Sequence, residues 1–191
     1  MNRGRLEAFS DGVIAILITI MVLALNVPRG GSFAALAPLL PVFLSYVLSF
    51  VFLGIYWSNH HHMLHTVDRV NGTILWANLH LLFWLSLVPF ATAWMGENGA
   101  APLPTALYGT VLLLAAVAYT ILQTAIIRSQ GAGSKLAAAV RGDVKGKISV
   151  VLYAGAIPLA FADRRLSIAI YVAVALIWLV PDRRIETVLK G

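Results

Sequence analysis

Long apolar runs separated by short polar breaks dominate the chain. Six of them reach the roughly 17–25 residues that a helix needs to cross a bilayer, or come close to it. They lie at about Ala8–Val27, Leu39–Leu64, Thr73–Met95, Thr105–Ile127, Ile148–Ala162 and Leu166–Val180. The breaks carry turn and stop chemistry. Pro28-Arg29-Gly30-Gly31 follows the first run, Pro38 and Pro41 open the second, and Gly96-Glu97-Asn98-Gly99 closes the third. A polar stretch from Arg128 to Lys147 follows the fourth, and only Asp163-Arg164-Arg165 separates the fifth from the sixth, which predicts a tight hairpin. No strand-like alternation and no internal repeat interrupts this order. The pattern predicts an all-α, polytopic membrane protein with a single six-helix transmembrane domain over residues 1–191.

Composition agrees with that class. Hydrophobic residues make up 60% of the 191 positions and charged residues only 12%, about half the share in soluble domains, with mean hydropathy +0.85. A soluble chain of this size could not keep so much apolar surface from water, so the expected surroundings are membrane lipid. The net charge of +6 is better read as topology than as nucleic-acid binding, because no basic run with interleaved aromatics occurs. With six spans, eleven Lys and Arg fall on the side of the two termini and three on the other. Basic residues gather in cytoplasmic loops, so both termini are expected in the cytoplasm of a bacterial-type inner membrane. Arg3 and Arg5 ahead of Val13–Leu25 have the outline of a signal peptide, but Glu7 and Asp11 spoil its basic region and no small-x-small site follows. The run is therefore expected to remain as the first span. Zero cysteines exclude thiolate catalysis and disulfides.

The first span holds the most informative pattern. At 100° per residue, Gly12, Ile16, Ile20 and Leu23 form one narrow stripe with Thr19 at its edge. Asp11 lies about 140° away from Ile16 and Ser10 about 120° away on the other side. A carboxylate near hydrocarbon pairs inside the protein or lines water, so Asp11 is expected to face other helices and the stripe to face something else. Pattern alone favours lipid contact or packing for such a stripe, and a bond to its own helix for Thr19. His60, His61, His62 and His65 cluster at the end of the second span. His61 and His65 have the i, i+4 spacing of zinc ligands, but the glutamate of H-E-x-x-H is missing and only Asp68 offers itself as a third ligand, so no metal site is expected. Paired carboxylates, a nucleophile arrangement and a Gly-rich phosphate loop are all lacking, which points away from an enzyme.

The stretch R-L-E-A-F-S-D-G-V-I-A-I, from Arg5, resembles the R-x-x-x-F-S-D signature of the prokaryotic relatives of transmembrane protein 175, the endolysosomal potassium channel. Arg5, Phe9, Ser10 and Asp11 match it at the right spacing, and GIYWSNHHHMLH (54–65) and NLHLLFWLSLVPFATAWMGE (78–97) continue the likeness. The resemblance implies a six-helix subunit assembled as a homotetramer, where animal members carry two repeats per chain and dimerise. It implies first helices around a central path for potassium or other monovalent cations, with no further cofactor. By position the family's apolar constriction falls on Ile16, Ile20 and Leu23, with Thr19 as a polar layer beside it, which is the stripe found above from angles. No T-V-G-Y-G filter is present, so dehydration cost and width would set a modest potassium preference. Arg5, Ser10 and Asp11 then read as a structural polar network, with Trp57, one of His60–His62 (His61 among them) and Asn78 as partners. The competing reading is a secondary transporter or proton-coupled exchanger in which Asp11 and the His60–His65 cluster bind the coupling ion.

Overall fold

The computed structural model describes residues 2–67, 69–131, 133–140 and 143–179; Asp68 and Val180 of the readings above, and some of the eleven basic residues counted on the side of the termini, lie outside them. Among the described residues the regular structure is entirely helical. Helix α1 (Arg3–Ile20) tightens into a 3₁₀ turn, Met21–Ala24. A second 3₁₀ segment, Phe33–Leu39, leads into α2 (Leu40–His65), and α3 (Gly72–Ser86) and α4 (Val88–Glu97) follow. Then come α5 (Pro102–Gln130), the short α6 (Lys135–Val140), α7 (Val144–Ala162) and α8 (Arg164–Leu179).

Local chemistry explains where these elements begin and end. Asn2 caps α1 by accepting from the Gly4 N–H, so the helix starts five residues before the expected Ala8. Asn71 caps α3 through the Ile74 N–H and Asp143 caps α7 through the Gly146 N–H. The third apolar run is bent into α3 and α4 at Leu87, because Pro89 lacks the N–H that would continue the ladder. Between α4 and α5 the chain turns through Gly99 and Ala100, at φ +56° and +54°, and Gly131 at φ +91° ends α5.

Among the described residues, five segments are long and apolar enough to cross a membrane: Arg3–Ala24, Phe33–His65, Gly72–Glu97, Pro102–Gln130 and Val144–Ala162. Helix α8 adds 16 more residues of the same character up to the end of the described region. Large apolar side chains such as Trp76, Phe90 and Val151 stand exposed on the outside, the arrangement for lipid rather than water as solvent. The chain is a multi-pass membrane protein.

In lipid, helices gain little from hiding one apolar surface against another, so small-residue contacts and hydrogen bonds decide how they pack. Both are present. A Cβ at Gly96 of α4 would meet the Val42 Cα of α2 at 2.8 Å, and one at Gly109 of α5 would collide with the Tyr171 hydroxyl of α8. That hydroxyl donates to the Thr105 carbonyl, 3.2 Å away. The Ser49 hydroxyl lies 2.9 Å from that of Tyr108 and 2.7 Å from that of Thr92, joining α2, α5 and α4.

Candidate functional site

Helix α1 has two unlike faces. Leu6, Ser10, Ile14 and Leu17, with Met21 just beyond, recur every three or four residues and are all buried. On the opposite side Ile16 is 59%, Ile20 41% and Leu23 79% exposed. Gly12 and Thr19 are exposed with them. The Thr19 hydroxyl donates back to the Ile16 carbonyl at 3.0 Å, so its own helix already satisfies it. The face that sequence angles set apart is the one that no other described helix covers.

The buried face is held by a directional relay. His60 Nε2, on α2, donates to Asn78 Oδ1 on α3 at 2.7 Å. Asn78 Nδ2 donates to Ser10 Oγ on α1 at 3.0 Å, and the Ser10 hydroxyl donates to the Leu6 carbonyl at 2.8 Å. All three side chains are fully buried. A carboxamide oxygen only accepts, so the proton of the neutral His60 ring sits on Nε2. The buried Nδ1 then keeps a lone pair with no partner. The relay thus fixes α1 against two neighbours at one depth.

Beside the relay, α1 and α2 meet side by side. Trp57 Nε1 donates to Asp11 Oδ1 at 3.0 Å. One turn toward the N-terminus of α1, Glu7 Oε1 lies 3.4 Å from His61 Nδ1 and 3.5 Å from His65 Nε2. Thus Glu7 and Asp11, four residues apart on α1, face His61 and Trp57, four apart on α2, as two antiparallel helices require.

Two expected members of the network stand elsewhere. His60, and not His61, joins Asn78, since successive helical residues point about 100° apart. His61 turns to Glu7 and stacks on Trp57, ring centroids 6.3 Å apart. Arg5 is exposed, and its side chain has no hydrogen-bond or ion-pair partner among the described residues. It precedes Ile16 by eleven residues, about three whole turns, so it belongs to the uncovered stripe and not to the clasp. Glu7 is the residue that sequence reasoning passed over. Its i, i+4 spacing to Arg3, whose Nε lies 3.9 Å from Glu7 Oε2, was the available signal of a shared helix face.

A family model described as the endosomal/lysosomal potassium channel TMEM175 matches residues 5–89, which hold all of these residues except Arg3. A potassium channel of Chryseobacterium sp. (strain P1-3) is 56% identical over 190 residues, spanning 100% of this chain and 99% of that protein. The chain belongs to the TMEM175 family. A crystal structure of a lysosomal potassium-selective channel TMEM175 homolog from Chamaesiphon minutus superposes with a TM-score of 0.81 at 28% identity. It covers 94% of this chain and 97% of that one. Similarity reaches the vertebrate branch of the TMEM175 family in part. The endosomal/lysosomal proton channel TMEM175 of Mus musculus is 34% identical over 103 residues, which is 48% of this chain and 21% of that protein. These relatives are named as channels, and the chain shares the fold of the Chamaesiphon minutus homolog.

Proposed function

We propose that this chain forms a potassium-permeable monovalent cation channel, in which four copies place their α1 helices around a central axis. The observation that carries the reading is the uncovered apolar face of α1, set opposite a face held by three buried polar side chains. A helix anchored so firmly on one side, with isoleucine and leucine left over on the other, is built to present that second side to equivalent helices. Ile16, Ile20 and Leu23 form the constriction and Thr19 a polar layer beside it. Side chains of this kind offer no strong ligands, so the narrowing works by excluding water and by width. The Asp11 carboxylate accepts from Trp57 on the neighbouring helix, which favours a supporting role for it over a place in the ion path. The distribution of basic residues supports a topology with both termini in the cytoplasm, in a bacterial-type inner membrane.

Reconstitution tests this. The purified protein should have the mass of a tetramer by native mass spectrometry and should pass potassium into liposomes, with potassium preferred over sodium. Ile16→Asn should wet the constriction, raise the flux and erode the preference. A monomer without flux, a current carried by protons alone, or an Ile16→Asn channel identical to the parent would overturn the proposal.

A further inference from the structure

The geometry points to a transition-metal site between α1 and α2, formed by Glu7, His61 and His65, which takes Zn²⁺ or a cation of similar borderline softness. It does not depend on the channel reading. The three candidate donor atoms lie within 4.8 Å of one another. Two bonds of about 2.1 Å at a tetrahedral angle hold their donors about 3.4 Å apart. The separations from Glu7 Oε1 to His61 Nδ1 and His65 Nε2 are 3.4 and 3.5 Å.

A second observation singles out this oxygen. Glu7 Oε1 is buried and makes no hydrogen bond, while Oε2 faces the Arg3 guanidinium. A carboxylate oxygen turned inward toward two imidazoles, without a donor of its own, has the disposition of a ligand. The imidazoles are 40% and 42% exposed and Glu7 15%, so an ion can enter from the aqueous end while the carboxylate stays shielded. The Arg3 Nη1 donates to the His65 carbonyl at 3.1 Å and holds the end of α2 in place. Two imidazole nitrogens and one carboxylate oxygen suit zinc and its neighbours and not magnesium or calcium, which demand oxygen shells. The missing glutamate of the α2 histidine pair is supplied by another helix. A bound cation would therefore tie the first two helices together at that end.

Calorimetric titration of the full-length protein, purified with a histidine-free tag, tests this. ZnCl₂ should bind at one ion per subunit and raise the melting temperature, and MgCl₂ should do neither. Losing one ligand, in Glu7→Gln or His65→Gln, should weaken Zn²⁺ binding at least about 10-fold. His61→Ala/His65→Ala should abolish it, and His80→Ala, on α3, should bind like the parent. An X-ray absorption spectrum of the Zn²⁺-loaded parent should show two imidazoles and carboxylate or water oxygen, a readout that needs no variant. Absence of stoichiometric binding, equal binding by the double variant, or a shell without two imidazoles would overturn the assignment.

Discussion

Replacing Asn78 by leucine removes the polar link between His60 on α2 and Ser10 on α1 while keeping the number and branching of the side-chain heavy atoms. Asn78 accepts from His60 at 2.7 Å and donates to Ser10 at 3.0 Å, with all three fully buried. Interhelical hydrogen bonds in membranes contribute about 0.6 kcal/mol each on average, and up to roughly 2. Ser10 keeps its bond to the Leu6 carbonyl and loses only an incoming donor. His60 loses its one hydrogen-bond partner among the described side chains, and its Nδ1 already has none. Burying a polar group without a partner costs about 1–3 kcal/mol. Asn78→Leu should therefore destabilise the protein by roughly 2–4 kcal/mol, most of it from the stranded imidazole. Reversible unfolding by SDS in mixed micelles, followed by far-UV circular dichroism, measures this. If the imidazole carries the cost, adding His60→Leu should recover part of it, with a coupling of at least about 1 kcal/mol. A single variant within about 0.5 kcal/mol of the parent, or strict additivity in the pair, would refute the reasoning.

The close helix contacts give two graded losses. Gly96→Ala drives a methyl against the Val42 backbone, which cannot step aside. It should cost more than Gly109→Ala, where the Tyr171 ring can rotate away at the loss of its bond to Thr105. Both should fall in the range of about 1–3 kcal/mol for overpacking, read from the same SDS titrations. Trp57→Phe deletes the N–H that Asp11 accepts but keeps most of the ring. In so exposed a pair it should lower stability by about 1 kcal/mol. It should weaken assembly less than Asp11→Ala on size-exclusion chromatography, and the reverse order would remove Asp11 from the supporting role.

Sequence carried the helical class and the two-faced character of α1, because both follow from strong local signals: run length and the 100° step. Ile16, Ile20 and Leu23 emerge exposed where angles alone separated them from Ser10 and Asp11. Helix ends were less legible. The start of α1 depends on Asn2 as a cap, a single side chain ahead of a charged turn, and the break at Leu87 depends on how far Pro89 disrupts an otherwise continuous apolar run. Partnerships across helices were the least visible. Which of four nearby histidines meets Asn78 turns on a rotation of one residue, and Glu7 finds His61 and His65 only when two antiparallel helices are laid side by side. No single-chain periodicity encodes that register.

The zero cysteine count makes every introduced thiol unique, and thiol modification at Ile16 is the most direct test that the exposed face of α1 lines the cation path. Potassium current through Ile16→Cys should fall irreversibly on exposure to a small cationic methanethiosulfonate, while the parent and Leu176→Cys, an exposed position on α8, should be unaffected. Equal insensitivity of Ile16→Cys and Leu176→Cys, in channels that conduct, would place the stripe against lipid or protein and contradict the pore assignment.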